Sequence, residues 1–367
     1  MILAEDIYKV LKKNDIKFFT GVPDSVLKNL SSKFKKNHIS VNNEGTAVSL
    51  AIGYYLSTKN LPCIYMQNSG LGNAINPLIS IAHKDVYSIP SVLIIGWRGS
   101  PNSKDEPQHI AKGKITKKLL NLIGIKFCIL KKKSDLKKFE SLIKFSKKHK
   151  KSIACLIEKG LITQKSIAKP KKKKSNNFQI KRYEFILNLA KEINIKSKII
   201  SSTGFISREL DHVLKSNKYQ LIKPFYMVGG MGHSSAVTTG LSLNSKVQNI
   251  CIDGDGALLM HLGSMGINAK YGRNKFKHIL LRNNTHESVG DQTTNSDHID
   301  FKKLSNSLGY KSYYKIDNLI GYKKILKNFL NEKKPTFLEV RIKSGSIKNL
   351  SRPKNLKLIK ENFMKKY

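Results

Sequence analysis

Two short polar clusters in the second half of the chain are spaced as a metal–diphosphate site requires. The apolar run Ile250-Cys251-Ile252 ends in Asp253-Gly254-Asp255-Gly256, and the run His278-Ile279-Leu280-Leu281 ends in Arg282-Asn283-Asn284. A carboxylate (Asp255) and a carboxamide (Asn283 or Asn284) delivered by neighbouring strand ends offer the hard oxygen donors that Mg²⁺ accepts, with phosphate oxygens filling much of its remaining shell. Gly254 and Gly256 let the backbone approach an anion closely, and the helix opening there adds its free amides. Asp-Gly pairs are also ordinary turn chemistry. The weight therefore rests on the Asn-containing strand end 28 residues after Asp255. Glu44, far upstream, follows a short apolar run and opens a helical pattern. In an apolar crevice its carboxyl would titrate high; a plain first-turn helix acid is the alternative. Met231, in Gly229-Gly230-Met231-Gly232, is either a core methionine or a large apolar contact on a glycine-lightened loop.

Strands must carry these residues, and helices must hold the strands. In the first half, apolar runs at 18–19, 39–41, 63–66, 91–96, 127–130 and 152–157 alternate with helical patterns at 4–12, 46–56 and 74–82. Polar residues gather at the strand ends: Val22-Pro23-Asp24-Ser25, Asn42-Asn43-Glu44, Gln67-Asn68-Ser69-Gly70, Trp97-Arg98-Gly99 and the loop Lys104-Asp105-Glu106-Pro107-Gln108-His109. Asp24 or Ser25 is expected to cap a helix carrying Val26, Leu27 and Leu30. The second half repeats the alternation, with a helix at 183–193 and a strand at 197–201 ending in Ser202-Thr203-Gly204. One helix is expected through Leu258, Leu259, Leu262 and Met265, and a last strand at 336–342. The pattern predicts an α/β protein of two doubly wound parallel-sheet domains, 1–164 and 183–367, joined by a charged linker at 165–182.

A chain of 367 residues supports two domains with separate cores, and 40% hydrophobic residues makes it globular. The formal charge of +42 raises the possibility of a basic nucleic-acid-binding protein. However, 60 of the 67 basic residues are lysine, spread along the chain, where a nucleic-acid surface calls for localised Arg and stacking aromatics. Nucleic acid is therefore not expected as a partner, though a basic field still favours an anionic substrate. Cys63, Cys128, Cys155 and Cys251 lack CxxC spacing and read as small hydrophobes in a reducing compartment. No uncharged run approaches the length of a membrane span, and acids occupy the place of a basic signal n-region. A cytoplasmic protein without a membrane partner is expected.

In this order of parts, with Glu in the first half and GDG then Asn in the second, the sequence resembles the short two-domain thiamine-diphosphate-dependent decarboxylases of the phosphonopyruvate decarboxylase family. Sulfopyruvate decarboxylase is the near relative. The resemblance covers nearly the whole chain. It is carried by GVPDS from Gly21, NEGTAVSLAIGYYL from Asn43, YMQNSGLGNAINPL from Tyr65, IGWRG from Ile95, KDEPQH from Lys104, GGMGH from Gly229, GDG from Gly254 and HESVGDQTT from His286. Larger relatives insert a middle domain for which this length leaves no room.

The resemblance implies a pyrimidine-binding domain at 1–164, a diphosphate-binding domain at 183–367, and thiamine diphosphate with Mg²⁺ as cofactors. It implies Asp255, Asn283 and the backbone carbonyl of Thr285 as metal ligands, with Gly204, Gly230, Gly254 and Gly256 about the cofactor. It makes Met231 the apolar support of the bent cofactor, and Glu44 the acid that bonds the aminopyrimidine. Relatives commonly carry Asn or Asp, then Asn, then Gly before the HxS segment; a gapless reading from His286 puts Arg282, Asn283 and Asn284 there and favours Asn283 as ligand. The implied reaction is decarboxylation of 3-phosphonopyruvate to phosphonoacetaldehyde in phosphonate biosynthesis, downstream of phosphoenolpyruvate mutase. Action on sulfopyruvate, or decarboxylation or carboligation of another small 2-oxo acid, is the alternative. Asp24, Ser25, Arg98, Lys104 and His109 would meet the substrate, Arg98 as a bidentate grip on the phosphonate and His109 also moving a proton. Self-association with the active site between subunits is expected as well.

Overall fold

The computed structural model describes residues 1–35, 37–101, 103–163, 178–217, 219–318 and 320–365. Most of the expected linker lies outside the described residues. The chain divides into two units, Met1–Lys172 with Val289–Gln292 and Lys173–Ser288 with Thr293–Tyr367.

In the first unit, β1 (Ile2–Leu3), α1 (Ala4–Lys13), β2 (Phe19–Gly21), α2 (Lys28–Ser31), β3 (His38–Ser40), α3 (Glu44–Thr58) and β4 (Cys63–Gln67) are followed by α4 (Leu71–Ser80) and β5 (Val92–Trp97). Then come α5 (Pro107–Leu122), β6 (Lys126–Leu130), α6 (Leu136–His149), β7 (Ile153–Glu158) and β8 (Ile162–Thr163). Six strands form one parallel sheet in the order β3-β2-β4-β5-β7-β6, and β1 pairs with β8. β5 is buried along its whole length, which is why it reads as an unbroken apolar run and not an alternation. Helix α1 turns Ala4, Ile7 and Leu11 onto this core, while Glu5 and Asp6 at its start and Lys12 and Lys13 at its end suit the helix dipole. Because β2, β4 and β5 are neighbours, the residues after their carboxyl ends meet at one sheet edge, the usual place for a site in such folds.

The second unit contains β9 (Ile180–Lys181), α7 (Arg182–Glu192), β10 (Lys198–Ser201), α8 (Phe205–Ser216), β11 (Phe225–Tyr226), α9 (Ser234–Ser242), β12 (Asn249–Gly254) and α10 (Asp255–Met260). They are followed by α11 (Ser264–Tyr271), β13 (Phe276–Arg282), α12 (Phe301–Ser307), β14 (Ser312–Ile316), α13 (Tyr322–Asn331), β15 (Thr336–Lys343) and α14 (Leu356–Met364). The parallel order is β11-β10-β12-β13-β15-β14, with β9 paired to the end of β15. Ile250, Ile252, Ile279, Leu281, Leu338 and Val340 are all at most 2% exposed in its core. Each such side chain contributes about 1.5–3 kcal/mol of burial free energy.

Three local expectations change. The helix after the GDG turn is two helices, broken where His261 leaves helical geometry (φ −133, ψ 52). The expected helix after Asp24 is a single turn, α2, and Asp24 turns its carboxylate inward to accept the N–H groups of Val26 and Leu27. Ile180 and Lys181, inside the expected linker, add to the second sheet, and α7 starts at Arg182.

Candidate active site

Strands β10, β12 and β13 lie side by side in the second unit, and a cleft opens past their carboxyl ends. Asp255 begins α10 and is 3% exposed. Its Oδ2 accepts hydrogen bonds from the Asn284 N–H at 2.8 Å, Thr294 Oγ1 at 2.8 Å and Ser296 Oγ at 2.7 Å, while Oδ1 accepts the Gly256 N–H at 3.0 Å. Burial raises its pKa, and those hydrogen bonds pull against the rise. One oxygen is thus pinned by three donors, which aims the other. Asn283, 6% exposed, lines the cleft beside Thr285 and accepts the Thr285 N–H at 3.1 Å. Asn284 is built differently. It adopts a left-handed backbone (φ +62), and its side-chain oxygen accepts from Arg282 Nε at 2.9 Å and lies 2.7 Å from Ser296 Oγ. That oxygen is spent on holding the loop.

The cleft is also lined by Gly204, Met231, Gly254 and Gly256. Gly204 (φ +89) stands as the N-cap of α8 with no side-chain cap, so the first amides of that twelve-residue helix have no side-chain acceptor there. Thr285 Oγ1 is buried without a hydrogen-bond partner. His286, 7% exposed, packs beside Gly256, and burial pushes its pKa down to about 4, so the ring is neutral. Gly230 (φ +60) lies in the Met231 turn, where an added Cβ would stand 3.7 Å from His233, whose ring stacks on His261 at 4.3 Å. Arg182 and Glu287 form a buried ion pair on the cleft wall, with Glu209 3.5 Å from Arg182. A carboxylate, a carboxamide, a hydroxyl without a partner and two uncapped or glycine-lightened helix starts make a donor set for Mg²⁺ and a diphosphate.

The first unit holds a second polar assembly. Glu44 opens α3 just past β3, and its neighbour Asn43 caps the helix by accepting the Gly45 N–H at 2.8 Å. Glu44 is 5% exposed, and burial raises its pKa against the hydrogen bond from Asn73 Nδ2 to Oε2, at 2.8 Å. Gly70 fits against the other oxygen: a Cβ there would stand 2.1 Å from Oε1, so only glycine leaves room for the carboxyl. Asp24, 1% exposed, accepts from Gln67 Nε2 at 2.8 Å through Oδ1, while Oδ2 is buried without a partner; burial raises this pKa too.

Arg98, expected to grip the phosphonate in a bidentate way, places the Nε–Nη2 edge of its guanidinium on Asp105. Nε donates to Oδ2 at 2.6 Å and Nη2 donates to Oδ1, while Nη1 faces Ser25 Oγ at 3.5 Å. An unpaired guanidinium buried this deeply would be costly, so the fold supplies the carboxylate. His109, 8% exposed, sits in the first turn of α5, whose Gly113 meets the Gly99 turn so closely that a Cβ would lie 1.6 Å from the Gly99 carbonyl. Lys104 is exposed.

Asn73, Gln67, Asn68 and Asp105 were not singled out from sequence. All four lie in the quoted motifs around Tyr65 and Lys104, but their roles depend on pairing across strand ends that the linear order does not reveal.

Comparison with known proteins agrees with this geometry. Residues 1–119 match the family described as thiamine pyrophosphate enzyme, N-terminal TPP binding domain, and residues 202–340 match the corresponding C-terminal TPP binding domain. A phosphonopyruvate decarboxylase of Streptomyces viridochromogenes is 30% identical over 96% of this chain and 92% of its own. One from Streptomyces hygroscopicus is 30% identical over 96% and 91%. A sulfopyruvate decarboxylase of Methanosarcina acetivorans is 24% identical over 93% and 92%. The chain is therefore a thiamine pyrophosphate enzyme of two cofactor-binding domains, and it belongs to the phosphonopyruvate decarboxylase family.

Proposed function

We propose that the protein decarboxylates 3-phosphonopyruvate to phosphonoacetaldehyde and CO₂ with thiamine diphosphate and Mg²⁺. The observation that carries the reading is the donor set of Asp255, Asn283 and Thr285 on one cleft, in a chain whose relatives of that name match over nearly its full length. When bound, thiamine diphosphate supplies the electron sink that takes up the pair left by departing CO₂. Asp255 and Asn283 hold Mg²⁺ through side-chain oxygens, with Thr285 as the third donor. The amides at Gly204 and Gly256 receive phosphate oxygens, and Gly230 and Gly254 keep the walls close. Met231 offers an apolar face. Glu44 shares a proton at Oε1, the oxygen that Asn73 does not take, with the aminopyrimidine ring. Burial raises its pKa, which favours the protonated carboxyl over what an exposed glutamate would show. Buried Asp24 holds Gln67 beside the substrate site, Ser25 and the outer edge of Arg98 take oxyanion oxygens, Lys104 adds charge at the rim, and His109 moves a proton.

Self-association is part of this reading, with Glu44 of one subunit serving the Asp255 site of another; relatives named as alpha and beta subunits of sulfopyruvate decarboxylase support it. Supply of substrate by phosphoenolpyruvate mutase, and a reducing cytoplasmic setting for the four free cysteines, complete it. Sulfopyruvate is the second reading, favoured by the Methanosarcina relative. Steady-state kinetics on phosphonopyruvate, sulfopyruvate and pyruvate side by side separate the two. The highest kcat/KM is expected for phosphonopyruvate, and a clear preference for sulfopyruvate would replace the first reading with the second.

A further inference from the structure

A guanidinium has two edges that an oxyanion can use, Nε with Nη2 and Nη1 with Nη2. In Arg98 the first edge is taken. Asp105 accepts from Nε at 2.6 Å and from Nη2, and its two oxygens also accept the Gly99 N–H at 2.9 Å and the Glu106 N–H at 2.9 Å. The Asp105 side chain is 1% exposed and that of Arg98 is 8% exposed. Burial alone would favour the neutral acid, but Arg98 and the two amides hold Asp105 charged, well below the usual carboxylate range. The main chain of Arg98 is fixed as firmly. Asn68 donates to the Arg98 carbonyl at 2.9 Å and accepts the Arg98 N–H at 3.1 Å, and is itself held by Thr116 at 2.9 Å. With both ends anchored, the second edge is left pointing beside Ser25, whose Oγ is 3.5 Å from Nη1.

We propose that Asp105 is a positioning residue for substrate selectivity: it aims the outer edge of Arg98 at the tetrahedral oxyanion head of a phosphonate- or sulfonate-bearing 2-oxo acid and thereby discriminates against pyruvate. The proposal rests on the decarboxylase reading above. The Arg98–Asp105 pair is neutral as a whole, and a chain with a formal charge of +42 has no shortage of attraction for anions. What the pair adds is direction. A tetrahedral head with three oxygens accepts from both outer N–H groups and from the Ser25 hydroxyl together. The methyl group of pyruvate accepts from none of them, leaving buried donors unsatisfied, which is how a polar site rejects an analogue lacking the matching group.

The test is the Asp105→Asn variant, assayed with saturating thiamine diphosphate and Mg²⁺ on phosphonopyruvate and on pyruvate, with cofactor binding measured by calorimetry. The side-chain amide keeps one acceptor oxygen and turns N–H groups toward the other guanidinium nitrogen, so the fork loses its charged partner and one of its two acceptors while the shape is kept. The KM for phosphonopyruvate is expected to rise on the order of 10- to 100-fold. kcat should stay within a few-fold, kcat/KM for pyruvate should be nearly unchanged, and cofactor affinity should be unaltered. Asp105→Glu, which keeps the charged fork, should recover part of the loss. An unchanged ratio of the two kcat/KM values would overturn the proposal. So would a lower KM for phosphonopyruvate, because Asp105 would then be competing with the substrate for Arg98. If Asp105→Asn fails to fold, Arg98→Lys, which keeps the charge and removes the second edge, must lose the same selectivity; retention overturns the proposal. A wild-type enzyme that turns over neither phosphonopyruvate nor sulfopyruvate removes the reading and the inference together. An active wild type with unaltered selectivity in the variants removes the inference alone.

Discussion

Glu44 is the residue on which chemistry and binding should separate. It offers the cofactor one hydrogen bond, worth on the order of 1–3 kcal/mol, whereas a proton-transfer partner is worth ~10²–10⁴-fold in rate. Glu44→Gln should therefore raise the thiamine diphosphate dissociation constant modestly, lower kcat by at least ~10²-fold, and slow exchange of the cofactor's C2 proton measured by NMR. Near-normal turnover at saturating cofactor would reduce Glu44 to a helix-opening acid. The two asparagines divide in another way. Asn283→Ala should weaken Mg²⁺-dependent cofactor binding in calorimetry. Asn284→Ala should chiefly lower the melting temperature, since it removes the acceptor of Arg282 Nε and leaves alanine at φ +62. The opposite pattern would show that Asn284 faces the metal.

Glu44, Asp255 and the Asn283 strand end were legible in the sequence because each follows an apolar run and opens or precedes a turn. Asp105 was not, because its partner is fixed only when the loop after β5 folds back on that strand end. The occupation of the Nε–Nη2 edge of Arg98 by Asp105 is hidden for the same reason.

At the scale of elements, the alternation of apolar runs and helical patterns was enough to place most strands of both sheets, since strands buried on both faces leave continuous runs. Two-residue strands such as β1, β8 and β9 escaped, as their pairing is entirely non-local. The break at His261 also escaped, because an amphipathic pattern continues through it. One strand residue carries a cost that can be measured. Lys277 on β13 is fully buried, donates to the Glu332 carbonyl at 2.5 Å and the Lys334 carbonyl at 3.2 Å just past α13, and is pushed down to about 8 by burial. Its folded-state pKa lies below its unfolded value, so the unfolded chain binds more protons between pH 8 and about 10.5. Stability from this group therefore rises with pH across that window. Relative to Lys277→Met, the wild type should gain on the order of 1 kcal/mol in denaturant melts from pH 8 to pH 10, after allowance for screening. A difference that is flat or moves the other way would show that the ammonium is not desolvated.

For the whole molecule, an oligomer that is active as such is expected, because Glu44 and the Asp255 site are proposed to come from different subunits. Sedimentation at assay concentration should show a dimer or larger species, and an active monomer would refute the shared site. Among the described residues no helix is long and apolar enough to cross a membrane.

The most direct test of the central claim is ³¹P NMR of phosphonopyruvate incubated with the purified protein, with both cofactors and with each omitted. Conversion to phosphonoacetaldehyde in step with released CO₂ is expected, abolished when thiamine diphosphate or Mg²⁺ is withheld and in the Asp255→Ala variant. Phosphonopyruvate left intact under the complete conditions, or consumed equally without thiamine diphosphate, would contradict it.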